Sequence, residues 1–311
     1  MKRQYISIVA LIMLFSCSGN AENKTPEIEV VKVQETKKET VLKEKVTPEV
    51  VLKEETLLVK KEVSKEEVKE EILPVEQEKK KEVVEKLPPS LKTLPNHKVW
   101  DALLREHVSS VGNVDYKAMK SSIEKIKSYL KYMDDVSLQS DWSKNEKLAY
   151  WINLYNASTV YLIASNYPVA SITKLSGGKP WDKKFVKSGG KVYSLNEIEN
   201  SIVRPKFKDP RIHAALNCAA KSCPKLLNAA YAPSKLDIQL DAQSKAWVND
   251  KSKNQLSPTK LKVSKIFEWY GDDFKSAGGV IGFINKYKNA KMMITPKAKV
   301  AYLEYDWSLN E

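Results

Sequence analysis

The stretch that decides the fold reads Leu148-Ala149-Tyr150-Trp151-Ile152-Asn153-Leu154-Tyr155-Asn156-Ala157. Its apolar side chains cover all sides of a helix instead of one stripe, which predicts a helix that is buried on most of its faces. The pattern extends over residues 144–166, and Ser143 stands before it as a cap. A helix of this kind needs other elements packed around it. We therefore expect a mainly helical, single α+β domain with a small β-sheet over residues 91–311.

Three polar side chains interrupt this apolar helix: Glu146, Asn153 and Asn156. At about 100° per residue, Glu146 and Asn153 lie within roughly 20° of each other around the helix axis. Polar groups on a buried helix need hydrogen-bond partners. They either hold irregular backbone in the core or line a pocket, and the sequence leaves both alternatives open.

Shorter patterns predict the elements around this helix. Residues 186–194 read as a β-hairpin, because Gly189-Gly190 separates two alternating flanks. Ser194 and Glu197 have the spacing of a capping box, which predicts a helix over residues 195–203. Alternation in residues 301–307 predicts a terminal strand.

A second informative stretch is Arg211-Ile212-His213-Ala214-Ala215-Leu216-Asn217-Cys218-Ala219-Ala220-Lys221-Ser222-Cys223-Pro224, which we call the cysteine segment. It holds one of the three histidines and two of the three cysteines of the chain. Residues 211–218 read as a buried strand, and Pro224 is placed to start a helix. Cys223 would then lie at a helix cap, where the helix dipole lowers the pKa of a thiol.

Two kinds of site fit the cysteine segment. As a catalytic site it would use Cys223 as nucleophile and His213 as base, with Asn217 or Asn153 orienting the imidazole and Glu146 as a pocket carboxylate. As a structural site it would close a Cys218–Cys223 disulfide. Metal binding is disfavoured because no fourth ligand is evident, and a redox function because the Cys-x-x-Cys spacing is absent. No phosphate-binding glycine loop is present, and we expect no cofactor.

The N-terminal residues predict export and lipid anchoring. Positive charge at Lys2 and Arg3 precedes an apolar run over residues 6–15, as in a secretory signal. Leu14-Phe15-Ser16-Cys17 resembles a bacterial lipobox, so residues 1–16 are interpreted as a lipoprotein signal peptide and Cys17 as the lipidated residue. The alternative is an ordinary signal peptide cut near Ala21. Ser18 favours an outer membrane, so we expect a location in the cell envelope, facing the periplasm or the cell surface.

Residues 17–90 are typical of a disordered tether. No aromatic residue occurs between Phe15 and Trp100, and Lys, Glu and Val dominate the composition. Such a segment cannot bury enough apolar surface to offset its ordering entropy. Residues 21–90 hold 15 Lys against 18 Glu, a net charge of −3, and Lys2 and Arg3 contribute +2. Because the whole chain has a formal net charge of +13, residues 91–311 carry +14.

This basic domain suggests an acidic partner. In an exported protein we expect an anionic envelope polymer or another envelope protein as the partner, and no nucleic acid. The alternative is that lysine is simply the common surface residue of this chain, since the lysines do not cluster.

Several blocks together resemble one family. They are Val114-Asp115-Tyr116, residues 150–157, Tyr167-Pro168, residues 212–224 and Ile266-Phe267-Glu268-Trp269-Tyr270 with Asp273-Phe274. The chain is identified on these blocks as similar to the domain of unknown function 547 family over residues 97–311. The resemblance implies a single α+β domain, often exported, with a His…Asn-Cys…Ser-Cys-Pro block. A more distant similarity to papain-like and transglutaminase-like folds is weakened by chain order, because His213 precedes both cysteines.

Two functions are compatible with these observations. One is a membrane-tethered envelope protein that acts as a binding or structural module with a basic surface. The other is a cysteine-dependent hydrolase or acyl transferase acting on an envelope amide.

Overall fold

The computed structural model describes residues 94–136, 138–289 and 291–311. The predicted signal peptide, Cys17 and the tether over residues 17–90 lie outside the described residues. The described part is α+β and mainly helical with small sheets, as the sequence predicts. Within it, no helix combines the length and the hydropathy that crossing a membrane requires.

The central element is the predicted buried helix, α4 (Lys144–Asn166). Every residue from Leu148 to Val160 is buried, which confirms that apolar character all round a helix indicates burial. The helix begins with a capping box, in which the Glu146 amide donates to the Ser143 hydroxyl over 3.3 Å. In return, the Glu146 carboxylate accepts the Ser143 amide at 2.6 Å.

Helices from both sides of the sequence surround α4. The N-terminal ones are α1 (Lys98–His107), α2 (Tyr116–Ser121) and α3 (Ile123–Asp135). After α4 come α5 (Leu195–Glu197), a π-helical turn (Ile198–Val203), α6 (Arg204–Phe207), α7 (Leu236–Asn249), α8 (Ile266–Trp269) and α9 (Gly279–Tyr287). Helices α2 and α3 pack directly on α4 and share its apolar core, whereas α7, α8 and α9 enclose a second cluster around Trp247, Phe267 and Phe283.

The strands form two small sheets. The predicted hairpin is confirmed: β1 (Lys184–Ser188) and β2 (Lys191–Ser194) pair antiparallel, and Gly189 and Gly190 supply the positive φ angles of 59° and 74° that the tight turn requires. In the second sheet, β4 (Lys260–Val263) lies between antiparallel β3 (Gln255–Leu256) and parallel β5 (Lys299–Tyr302).

The capping-box prediction is confirmed and the terminal-strand prediction is wrong beyond Tyr302. Ser194 and Glu197 exchange both hydrogen bonds of the capping box and begin α5. After Tyr302 the chain leaves the sheet, and its backbone forms hydrogen bonds with the cysteine segment instead. Residue Leu309 forms an isolated bridge with Ala220.

The local structure predicted for the cysteine segment is wrong. Pro210–Ala214 form a 3-10 turn instead of a strand, and residues 224–232 run as irregular backbone instead of a helix. Side chains from within the segment and from α7 bind the backbone groups that a helix would have used. The Pro224 carbonyl accepts the Asn217 amide at 2.9 Å, and the Lys225 carbonyl accepts Gln243 of α7 at 2.8 Å. Because Gln243 belongs to another element, local sequence could not indicate its hydrogen bond.

Candidate functional site

Two buried asparagines of α4 fix the irregular backbone on either side of the thiols. Asn156 accepts the Asn217 amide and donates to the Ala215 carbonyl, both over 2.9 Å. Asn153 accepts the Tyr231 amide at 2.9 Å and donates to the Tyr231 carbonyl at 2.8 Å. Of the two alternatives for these polar groups, the structure shows the first: they hold backbone in the core. Asn153 therefore serves as a positioning residue and does not reach the imidazole.

Asn217 has the same kind of role. Its side chain bridges the turn, donating to the Pro224 carbonyl and accepting the Ala219 amide, each over 2.9 Å. Ala219 itself has a φ of 61°, a left-handed conformation that costs a residue with a side chain about 1–2 kcal/mol. The prediction that Asn217 orients the imidazole is wrong, because both functions of its amide are engaged within the turn.

The turn brings the two thiols together. Both cysteines are free, and their Sγ atoms lie 2.9 Å apart. The Cys218 amide donates to Cys223 Sγ at 3.1 Å, and the Tyr305 hydroxyl lies 3.0 Å from Cys218 Sγ. Cys223 is 4% exposed, whereas Cys218 is half-buried. Cys218 is thus the more accessible of the two cysteines.

The two thiols differ in acidity. Burial raises the pKa of Cys218, but hydrogen bonds from Cys223, Tyr305 and the Ala220 amide outweigh it and leave that pKa below its ordinary value. Burial and the adjacent Cys218 raise the pKa of Cys223 well above its ordinary value. The helix cap predicted for Cys223 does not form. Cys218, not Cys223, is therefore the more reactive thiol.

His213 is held by an acidic partner. Its Nε2 atom lies 2.8 Å from Asp273 Oδ2, and its ring stacks on Tyr270 with centroids 4.3 Å apart. The Arg204 guanidinium donates to both oxygens of the same carboxylate, from Nε at 2.6 Å and from Nη2 at 3.1 Å. Burial raises the pKa of Asp273, but hydrogen bonds from His213 and Arg204 outweigh burial and hold it well below its usual range. The pair fixes the ring orientation and leaves Nδ1 as the nitrogen not engaged by Asp273.

The thiols and the imidazole line one cleft of about 400 Å³. Six Tyr and Trp residues also line it, and we call it the aromatic cleft after them: Tyr155, Trp181, Trp269, Tyr270, Tyr305 and Trp307. Within the described ranges, no hydrogen bond joins His213 to either thiol. The sulfurs and the imidazole thus line the same cleft, but they are not hydrogen-bonded to each other as a catalytic pair would be.

The buried carboxylate that lines the cleft is Glu199, which sequence reasoning missed. It lies in the π-helical turn after α5, is 8% exposed and accepts the Tyr155 hydroxyl at 3.1 Å. Burial and the Glu199 charge raise the pKa of Tyr155 and Tyr270, so both phenols stay protonated as donors. The predicted pocket carboxylate, Glu146, instead caps α4 and does not line this cleft. A π-helical turn often marks a functional site, but sequence does not reveal one.

The cleft contains no evident metal site. Among the described residues, no three His, Cys, Asp or Glu side chains are grouped as metal ligands. The groups that the cleft does bring together are a thiol of lowered pKa, its buried partner, an oriented imidazole, a buried carboxylate and aromatic walls.

Comparison with known proteins adds a family and no activity. The model of the family described as "Protein of unknown function, DUF547" matches residues 139–248. The match includes α4, Trp181, Glu199 and the cysteine segment, whereas Trp269, Asp273, Tyr305 and Trp307 lie beyond it. Neither the comparison with curated proteins nor that with solved structures gave a match. Residues 139–248, which hold the central helix and both thiols, thus match the domain of unknown function 547 family, as the sequence blocks predict.

Proposed function

We propose that this is a membrane-tethered protein of the cell envelope whose aromatic cleft binds a sugar unit of an envelope polymer. In this proposal Cys17 carries the lipid, residues 17–90 hold the domain away from the membrane, and the basic surface favours anionic surroundings. The location is the outer membrane, facing the periplasm or the cell surface.

The observation that carries the binding proposal is the arrangement of the aromatic walls. Trp269 and Trp307 stack with centroids 5.9 Å apart, and Trp181 meets Trp307 at 5.4 Å. Trp269 is 45% exposed, so its large apolar surface is open to a ligand. A sugar ring has an apolar C–H face and a polar hydroxyl edge, and it buries that face on an indole ring. A cleft of about 400 Å³ has the size of a small-ligand site.

Polar groups at the same cleft suit the hydroxyl edge. The Asn196 side chain donates a hydrogen bond to Asp182 at 3.0 Å. The Asn200 side chain donates to Asn196 and accepts a hydrogen bond from Arg204 at 2.6 Å. This chain of amides is already oriented before a ligand arrives, which lowers the entropic cost of binding.

The charge of the cleft distinguishes it from the rest of the domain. Lys179 lines it together with the two carboxylates of Asp182 and Glu199, so the cleft itself is not basic. Glu199 disfavours an anionic group at the floor of the cleft. The proposed ligand is therefore a neutral sugar portion, while the surrounding lysines attract the acidic groups of the same polymer at longer range.

Binding is tested by co-sedimentation of the full-length protein with purified peptidoglycan sacculi. Trp269→Ala should weaken binding about tenfold, the loss of one stacked ring. Ile238→Ala is the matched control, because this side chain is 73% exposed on α7 and lies outside the cleft. Binding through the cleft should persist in high salt. Equal binding by the two variants, or complete loss in salt, would refute the cleft as the binding site.

The anchor has its own test. Mass spectrometry of the mature N-terminus should find acylated Cys17, and globomycin should cause the precursor to accumulate. An unmodified N-terminus that begins after Ala21 would reject the lipid anchor and leave an ordinary exported protein.

A second candidate is a cysteine-dependent hydrolase or acyl transferase acting on an envelope amide. It is favoured by a thiol of lowered pKa and an Asp273-oriented His213 in one cleft. The Cys218 thiolate would attack the amide carbonyl to form a thioester, and the amine would leave with a proton from His213. Mass spectrometry after acid quenching should trap an acyl group on Cys218 from an activated ester. An unacylated Cys218 after this treatment would rule out the activity.

A further inference from the structure

We propose a further activity at the floor of the aromatic cleft: Cys218 and Cys223 form a dithiol that exchanges with a peptide-borne disulfide, Cys218 attacking and Cys223 resolving. The proposal does not depend on what the aromatic walls bind. The spacing of the cysteines argues against redox function when it is compared with Cys-x-x-Cys, but the folded turn provides the proximity that the spacing does not indicate.

The turn holds the sulfur atoms close to bonding distance. They lie 2.9 Å apart, whereas a disulfide needs about 2.05 Å, so closure requires only a small shift. The C-terminal segment fixes the turn from outside, since the Lys221 amide donates to the Ser308 carbonyl at 2.8 Å and the Ser222 amide to Asp306 at 3.2 Å. The sulfurs are therefore preorganised for ring closure before any substrate arrives.

Access differs between the two sulfurs, as exchange requires. Both cysteines line the cleft, but Cys218 is half-buried whereas Cys223 is only 4% exposed. The Tyr305 hydroxyl, 3.0 Å from Cys218 Sγ, donates to the thiolate form of Cys218. The lowered pKa of Cys218 and the raised pKa of Cys223 agree with this division. An exposed thiolate that attacks and a hidden thiol that resolves are the two parts of a dithiol exchanger.

The chemistry balances with a disulfide substrate alone. The Cys218 thiolate attacks one substrate sulfur, the substrate S–S bond breaks, and the first substrate thiolate leaves. Cys223 loses its proton to that thiolate, attacks Cys218 Sγ, forms the Cys218–Cys223 bond and releases the second substrate thiolate. The substrate gains two electrons and the protein dithiol loses two. The Cys223 proton ends on the first released thiol, and the second released thiolate takes up from solvent the equivalent of the proton that Cys218 gave to solvent when it became a thiolate.

The aromatic cleft suits a disulfide carried on a short peptide. Sulfur makes favourable contacts with aromatic rings, and Trp269, Tyr305 and Trp307 surround the approach to Cys218. Glutathione disulfide is a peptide disulfide of suitable size and is the probe that we choose.

The experiment treats the reduced full-length protein with glutathione disulfide, quenches with an alkylating agent and assigns each sulfur by peptide mass mapping. The wild type should form the Cys218–Cys223 disulfide and release two glutathione thiols per chain. Cys223→Ser should stop at a stable mixed disulfide on Cys218. The rate of Cys218→Ser should be lower than that of the wild type by a factor of about ten or more, because the remaining thiol is buried and less acidic.

Three results would overturn the proposal: a mixed disulfide that forms first on Cys223, a mixed disulfide on Cys218 that persists in the wild type, or a wild-type rate no greater than that of the urea-unfolded chain. Circular dichroism and sacculus binding of both variants show whether the fold and the sugar site remain. Acyl transfer would need Cys218 but not Cys223, so the Cys223→Ser variant also separates the two chemistries.

Discussion

The amide of Asn156 should be among the most costly side chains to remove from α4. This residue is 2% exposed and makes two hydrogen bonds to the cysteine segment, to the Ala215 carbonyl and from the Asn217 amide. Asn156→Ala leaves both backbone groups without these partners. A buried polar group without a partner costs about 1–3 kcal/mol, so the two groups together should lower the free energy of unfolding by about 4 kcal/mol.

This magnitude converts into a measurable shift. A loss of 1 kcal/mol lowers the Tm of a domain of 150–250 residues by about 2–4 °C, so Asn156→Ala should lower Tm by roughly 8–16 °C. Urea unfolding followed by circular dichroism should show the same loss as a lower midpoint with an unchanged slope.

Asn166→Ala provides the matched control on the same helix. Its side chain is exposed and donates to the Leu162 carbonyl at 2.7 Å, so water can replace the lost bond. We expect a change within about 0.5 kcal/mol. If Asn156→Ala costs no more than Asn166→Ala, the inference that α4 holds the cysteine segment through this amide is incorrect.

Three other substitutions test the site. Tyr305→Phe removes the hydroxyl beside Cys218 and should raise the pKa of that thiol, so its alkylation midpoint should move to higher pH; an unchanged midpoint would contradict the assigned hydrogen bond. Because the pKa of Asp273 is lower in the folded than in the unfolded chain, where it is about 3.9, its ionised form stabilises the fold above that pH. The wild type loses this stabilisation as the pH falls, so in urea titrations its stability should approach that of Asp273→Asn between about pH 4.5 and pH 2. A difference in the free energy of unfolding between the two proteins that does not change with pH would contradict this explanation. Glu146→Ala should cost about 1 kcal/mol through its cap and leave the Cys218 alkylation rate unchanged; a slower rate would return Glu146 to the site.

Sequence patterns predicted the elements whose formation depends on neighbouring residues. The burial of α4 follows from its unbroken apolar surface, and the start of α5 follows from the Ser194 and Glu197 capping box. The hairpin follows from Gly189-Gly190, since only glycine readily adopts both φ angles of that turn. The pattern that predicts each of these elements lies within the element or directly beside it.

The cysteine segment was predicted wrongly because its partners are distant. Its apolar residues resemble a strand, and Pro224 resembles a helix start, but Asn153, Asn156 and Gln243 bind the backbone that those elements would have paired. These contacts join residues separated by 18 to 78 positions. The assignment of Cys223 as the reactive thiol depended on that absent helix.

The sequence by itself determined which chemical groups are present, the central buried helix, its caps and the family of residues 139–248. Only the tertiary structure decided that the pKa of Cys218 is lowered, that His213 is paired with Asp273 across 60 residues, and that Glu199 lines the aromatic cleft. The physical reason is that local periodicity reports which faces of an element are buried. The acidity and access of a side chain depend on the hydrogen bonds and burial that distant segments supply when the chain packs.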